Sequence, residues 1–204
     1  MHIRWRVVIK SIIFSLLLGL FFPSRVTARE ISNTRIDGIP VKMNYISQVR
    51  ELSESEMEYF ILLIYVEAGI EEEEGQLATA ATILNRVEST EFPNSIKEVA
   101  FQKGAFSSTR NDKFYIGEQE ITIDEVPNNI RVIAERALAG EDPTEDALES
   151  ITKALGLDTE KYASSGALYF YNPKICSEKA LKDRENIKVS VKLGRHIYYK
   201  YWDN

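Results

Sequence analysis

The sequence predicts a helix-rich α+β domain with small sheet elements near its C-terminus. Three observations carry this. Apolar residues recur at helical spacing in successive segments from Leu52 onward. Runs with strand character gather after Gly166, beginning with Gly-Ala-Leu-Tyr-Phe-Tyr. Alternating apolar residues then flank Gly194, the pattern of a terminal hairpin.

The first helix follows Leu52. Ser53 and Glu56 fit a capping box, and Leu52 with Met57 fits the hydrophobic staple around it. Met57, Phe60, Ile61, Ile64 and Ala68 share one face, and Gly69 is placed to end the helix. A second helix starts in the Glu71–Glu74 run, where acids suit the positive end of the helix dipole; a solvated helix start explains the run better than a metal site. Leu77, Ala81, Leu84 and Val87 continue it, with Ala78 and Ala80 permitting close packing on the first helix. Pro93-Asn94-Ser95 reads as a turn and Ile96–Ala100 as a short helix. Residues 104–123 read as loop with a short strand or two, and 127–139 as a helix opened by Pro127 and followed by Gly140. A further helix is expected over 147–155, a strand over 166–171, and a hairpin from Val189, Val191 and Leu193 to Ile197, Tyr199 and Tyr201.

The domain expected over 52–204 is preceded by two other segments. Arg4, Arg6 and Lys10 precede an apolar run from Ser11 to Phe22, too short for a relaxed membrane span, and Val26-Thr27-Ala28 offers small residues at cleavage spacing. Residues 1–28 thus read as a secretory signal peptide and 29–51 as a polar leader, which implies a secreted protein with no stable membrane span after cleavage. Cleavage removes four cations and no acids, taking the formal charge from −6 to −10. Such a chain has no electrostatic pull toward nucleic acid, which excludes that class of partner.

The inventory of reactive groups is short. Cys176 is the single cysteine and has no intrachain partner; a packed thiol is its ordinary role. The histidines are His2 and His196, so an ordinary zinc site or a Ser-His-Asp triad has little to draw on. No HExxH, CxxC, GxSxG, GxGxxG or Walker loop is present. The reading therefore calls for no metal and no cofactor. Chemistry in this chain falls to carboxylates, amides and aromatic groups, the tools of glycoside cleavage.

Glu67 is the carboxylate that the pattern singles out. On a helical wheel it lies between Phe60 and Leu63, beside apolar side chains and in the last turn of its helix. Lost hydration and the partial negative charge of the terminal carbonyls both favour the protonated carboxyl, as a general acid requires. Position alone does not settle its role, since most glutamates at helix ends are solvated.

Tyr65-Val66-Glu67-Ala68, then Gly75-Gln76, Ala80 and Leu84-Asn85-Arg86-Val87, resemble the signature of the SleB/CwlJ-type cell-wall hydrolases, the spore cortex-lytic enzymes and their relatives. The resemblance continues in Phe92 to Val99, Gln102, Phe106-Ser107, Ala137 to Thr144, Gly166 to Pro173 and Gly194 to Lys200, in order along the domain. It implies a fold similar to lysozyme and resuscitation-promoting factors, with the catalytic acid at a helix end beside a cleft. That acid falls on Glu67. Two departures stand out. Gly69-Ile70 replaces the arginine and glycine usual in the family, removing a cation that could orient the carboxylate, and residues 145–165 look inserted between blocks that are often adjacent.

The resemblance implies cleavage of peptidoglycan glycan strands, on spore cortex or cell wall, with localisation in the wall or spore envelope. Glu67 would protonate the glycosidic oxygen through an oxocarbenium-like transition state. Glu71, one turn on, could sit nearby, but with no second carboxylate paired to Glu67 the sugar's own 6-hydroxyl can attack, which is lytic transglycosylation. Phe106, Ser107, Tyr169, Tyr171 and Asn172 are the candidate substrate-binding residues, since aromatic faces suit sugar rings and an amide can bond acetamido groups. For each tyrosine a core role competes with this, and for His196 a structural hydrogen bond is the expected role. The rival readings are a wall amidase or peptidase and a non-catalytic wall-binding protein. No repeat-type wall-binding module is visible, so targeting falls to the domain, the leader or a wall-associated protein partner.

Overall fold

The computed structural model describes residues 52–202, together with a short antiparallel pairing of β1 (Arg35–Ile36) with β2 (Ile39–Pro40). The chain divides into two units, Met1–Tyr45, which holds this pairing, and Ile46–Asn204, which holds all that follows. The expected signal peptide and the rest of the leader lie outside the described residues. No helix among the described residues is long and apolar enough to cross a membrane.

α1 spans Glu54–Ala68, and its start is the one the sequence specifies: Ser53 accepts from the Glu56 backbone N–H while the Glu56 side chain reaches back to the Ser53 backbone. The predicted apolar face is too narrow. Phe60, Ile61, Leu62, Leu63 and Ile64 are all buried, so over this stretch the helix is enclosed on every side, while Tyr65, Val66 and Glu67 are half-buried. Gly69 caps it in a right-handed conformation, its N–H donating to the Tyr65 carbonyl at 2.8 Å.

α2 spans Glu73–Glu88 and has core on two sides. Ala80, Ile83 and Val87 join α1 in a cluster with Val99, Phe114, Ile121, Ile130 and Ile133. Ala78 belongs to a second cluster with Leu148, Tyr162, Val189, Leu193 and Tyr198. Small residues let neighbours approach this closely. Glu72, Glu73 and Glu74 are exposed at the helix start, as dipole logic expects, but Glu71 departs from this and is buried.

α3 (Ile96–Ala100) leads into a three-stranded antiparallel meander, β3 (Thr109–Arg110), β4 (Lys113–Ile116) and β5 (Gln119–Ile121), where the sequence suggested a strand or two. α4 is Asn128–Leu138 with Pro127 as its cap, one position before the expected N1 proline. α5 (Pro143–Ala154) begins earlier than predicted because the Asp142 side chain accepts from the Thr144 N–H at 2.7 Å and fixes the start. α6 (Thr159–Tyr162) follows, and Leu148, Tyr162 and Ala163 of this stretch are buried in the second cluster.

The last sheet has the order β6-β8-β7, from β6 (Tyr169–Tyr171), β7 (Val191–Leu193) and β8 (His196–Tyr199), with α7 (Glu178–Asp183) between β6 and β7. The expected hairpin is present, Val191 opposite Tyr198 and Leu193 opposite His196. β6 pairs with β8 through Tyr169–Tyr199 and Tyr171–Ile197. Tyr201 lies beyond β8. The Tyr198 hydroxyl ties the sheet to α2, donating to the Gly75 carbonyl at 3.0 Å and lying 2.9 Å from Thr79 Oγ1.

Candidate active site

Glu67 occupies the last turn of α1, next to fully buried Leu63 and Ala68. The residue keeps some solvent exposure, yet its carboxyl group is largely desolvated. Burial pushes its pKa above the ordinary carboxylate value; a hydrogen bond from Ser108 and the charge of Arg86 offset that rise only in part. Ser108 Oγ donates to Glu67 Oε1, and the Ser108 carbonyl accepts from the Tyr115 N–H at 2.8 Å, so the meander holds this serine in place.

The turn after Glu67 is pinned from two sides. Gln76 Nε2 donates to the Glu71 carbonyl at 3.0 Å. Glu71 Oε2 accepts from the Arg195 N–H at 2.8 Å, and Glu71 Oε1 lies 3.5 Å from His196 Nδ1. Glu71 is therefore not a solvated helix-start acid: its carboxylate is committed to the β7–β8 turn. His196 is the first residue of β8, and burial lowers its pKa more than Glu71 raises it. Gly194, at φ +61°, makes this approach possible, because a Cβ there would collide with Glu71 Oε2.

The position where the resemblance usually places arginine is closed. A Cβ on Gly69 would lie 2.5 Å from the Tyr65 carbonyl oxygen and 2.7 Å from its ring. A different cation, from another helix, acts on Glu67. Arg86 of α2 is buried, donates through Nε to the Leu168 carbonyl at 2.7 Å, and interacts electrostatically with Glu67.

A node of hydrogen bonds joins three blocks that are distant in sequence. Asn85 Nδ2 donates to Asp142 Oδ2 at 2.8 Å and to the Ala167 carbonyl at 3.2 Å, while the Ala167 N–H donates to Thr144 Oγ1 at 2.8 Å. Gly166, at φ +69°, leaves room for the Asp142 carboxylate. This node sets β6 against α2.

The sequence candidates divide on this frame. Phe106 is turned inward, its ring 6.2 Å from Phe170 and 4.9 Å from the Arg86 guanidinium, so it supports that cation rather than offering an open face to a sugar. Ser107 is exposed; the serine on the acid is its neighbour, Ser108. Tyr169 and Tyr171 are half-buried on one side of β6, both against Tyr199, with Tyr169 stacked on it at 5.2 Å. Asn172 accepts from the Lys174 N–H at 3.0 Å through Oδ1, closing the turn after β6 and leaving its amide nitrogen for other partners. Ser108 and Arg86 were not singled out by sequence, although Thr79, Ile83 and Arg86 share one buried stripe of α2. Among the described residues no group of three or more His, Cys, Asp or Glu is placed to hold a metal ion.

Residues 70–155 match the family described as Cell Wall Hydrolase, a stretch that begins just after Glu67. The spore cortex-lytic enzyme of Bacillus cereus is 30% identical over 72% of this chain, and that of Bacillus subtilis 31% identical over 66%. The chain spans 45% and 34% of these relatives, less than half their length. The crystal structure of the catalytic domain of the Bacillus cereus SleB protein superposes with a TM-score of 0.51 at 28% identity, over 74% of this chain and 94% of that one. The catalytic domain of the germination-specific lytic transglycosylase SleB from Bacillus anthracis gives 0.52 at 26% identity, over 74% and 98%. The helix-rich α+β fold with its small antiparallel sheets is the fold of these domains.

Proposed function

We propose that the chain is a cell wall hydrolase, like the family its residues 70–155 match, and that it cleaves the glycan strands of peptidoglycan by lytic transglycosylation, with Glu67 as proton donor. The observation that carries the reading is the desolvated Glu67 carboxyl at the end of α1, oriented by Ser108 and holding its proton to a higher pH than a free glutamate. Likeness to a domain that bears the name lytic transglycosylase supports the reaction type, and likeness to spore cortex-lytic enzymes supports cortex as the substrate. Export to the wall or spore envelope is part of the same proposal.

Glu67 donates its proton to the glycosidic oxygen as the bond to the anomeric carbon breaks. Glu71, the nearest acid in sequence, is bound to the β7–β8 turn and is not free to deliver a water. The sugar's own 6-hydroxyl then attacks the anomeric carbon, and Glu67 takes up the hydroxyl proton. The half-buried faces of Tyr169 and Tyr171 and the amide nitrogen of Asn172 are the groups proposed to meet the sugar.

Mass spectrometry of cortex and vegetative peptidoglycan after digestion tests this. The expected products end in 1,6-anhydro sugars; exclusively hydrated reducing ends would reject transglycosylation. Glu67→Gln is expected to slow release by about 10²–10⁴-fold, and undiminished release would reject the assigned acid. A protein that binds wall without releasing fragments would be a binder.

A further inference from the structure

Arg86 is held in a way that a purely structural role does not explain. It is 5% exposed, on a helix with core on two sides. Four rings surround its guanidinium carbon: Phe106 at 4.9 Å, Phe92 at 5.2 Å, Tyr169 at 5.8 Å and Phe170 at 5.9 Å. Nε is satisfied by the Leu168 carbonyl, but Nη1 is buried with no hydrogen-bond partner. Aromatic faces attract a cation without accepting its protons as a carbonyl would, so this charge is tolerated rather than neutralised. Tying α2 to Leu168 needs one donor, and a neutral amide would supply it.

The charge interacts electrostatically with the acid. Phe106, one of the four rings, precedes by two residues Ser108, the donor to Glu67 Oε1. Tyr169 and Tyr199 face Arg86 from the terminal sheet, Glu91 faces Tyr169, and Ser108 faces Glu67 from the meander. Among these groups Arg86 is the cation.

We propose that Arg86 is a positioning residue for Glu67: its fixed charge stabilises the carboxylate formed when the proton has left, so that one side chain can serve as donor and then as acceptor. The inference rests on the reaction proposed above. In the first step the Glu67 O–H bond breaks, its proton goes to the glycosidic oxygen, and that oxygen leaves with the bonding pair. Glu67 is then an anion in a poorly hydrated place, opposite a cationic anomeric carbon. In the second step the 6-hydroxyl oxygen bonds to that carbon and its proton returns to Glu67. Without Arg86 the intermediate anion loses its fixed counter-charge, the acid becomes weaker, and the first step slows.

The test compares parent, Arg86→Met and Arg86→Lys in two ways. A ¹³C NMR titration reads the Glu67 carboxyl directly, and kcat and KM on solubilised peptidoglycan are followed across pH, with near-UV circular dichroism to establish folding. In Arg86→Met the Glu67 titration and the high-pH limb of kcat are expected to move together to higher pH. Its kcat is expected to fall by roughly 10–100-fold with KM within about 2-fold. Arg86→Lys keeps the charge, and both readouts are expected to stay near the parent; this variant carries the test alone if the Met variant does not fold. A Glu67 titration unmoved in folded Arg86→Met, or displaced as far in Arg86→Lys, would overturn the inference while Glu67→Gln stayed inactive. An active Glu67→Gln would overturn the reaction and this role of Arg86 together.

Discussion

The role proposed for Glu67 in the reaction can be separated from its effect on the fold. An unfolded glutamate ionises at its ordinary value, whereas burial keeps the folded Glu67 protonated to higher pH. The folded state then binds more protons, so this residue's contribution to stability is complete below the ordinary value and is lost as pH rises through the folded one. Glu67→Gln lacks that loss and keeps a carbonyl to accept from Ser108. Thermal scans are expected to show a higher Tm than the parent at neutral pH and convergence in acid; a lower Tm at neutral pH would contradict the desolvated carboxyl. The two adjacent serines give a second test. Ser108→Ala removes the donor to Glu67 and is expected to lower kcat about 10-fold, while exposed Ser107→Ala stays within about 2-fold. Equal effects would mean that the serine on the acid has been misassigned. The desolvated setting of Glu67 is legible in sequence because apolar spacing on one helix is local information. Which serine meets Glu67 is not legible there, because neighbouring hydroxyls differ only in direction, which the pairing of Ser108 with Tyr115 decides.

At the scale of elements, the turn between α1 and α2 shows what local reasoning reaches and where it stops. The capping box of α1 and the exposed Glu72–Glu74 start of α2 are both legible in neighbouring residues. The burial of Glu71 is not, because its partners, Arg195 and His196, are brought to it by the far end of the chain. The same holds for Arg86, whose spacing with Thr79 and Ile83 marks a buried face but cannot name the rings that gather there. Gly194 makes the long-range contact testable. Its left-handed backbone and the Glu71 carboxylate against it both oppose a side chain. Gly194→Ala is expected to destabilise by about 1–3 kcal/mol, read as a fall in Tm. An unchanged Tm would mean that the Glu71 anchor bears no strain.

For the whole molecule, blocks far apart in the sequence meet at α2. Leu84-Asn85-Arg86-Val87 lies on that helix; Asn85 donates to Asp142 and Ala167, Arg86 donates to Leu168, and the Ala167 N–H donates to Thr144. Motif resemblance could name these blocks without saying why they occur together. The structure gives a physical reason: each supplies a partner that a polar group of another would otherwise lack when buried.

Because α2 has hydrophobic packing on opposite flanks, neither half of the domain can open without uncovering it. Its amides are thus expected to trade hydrogen for deuterium only when the entire unit comes apart, slower than those of the meander or of the loop around the exposed Ile175. The rigidity that holds Arg86 in electrostatic contact with Glu67 is then a property of one cooperative block, and loosening either flank is expected to blunt the acid before any secondary structure is lost.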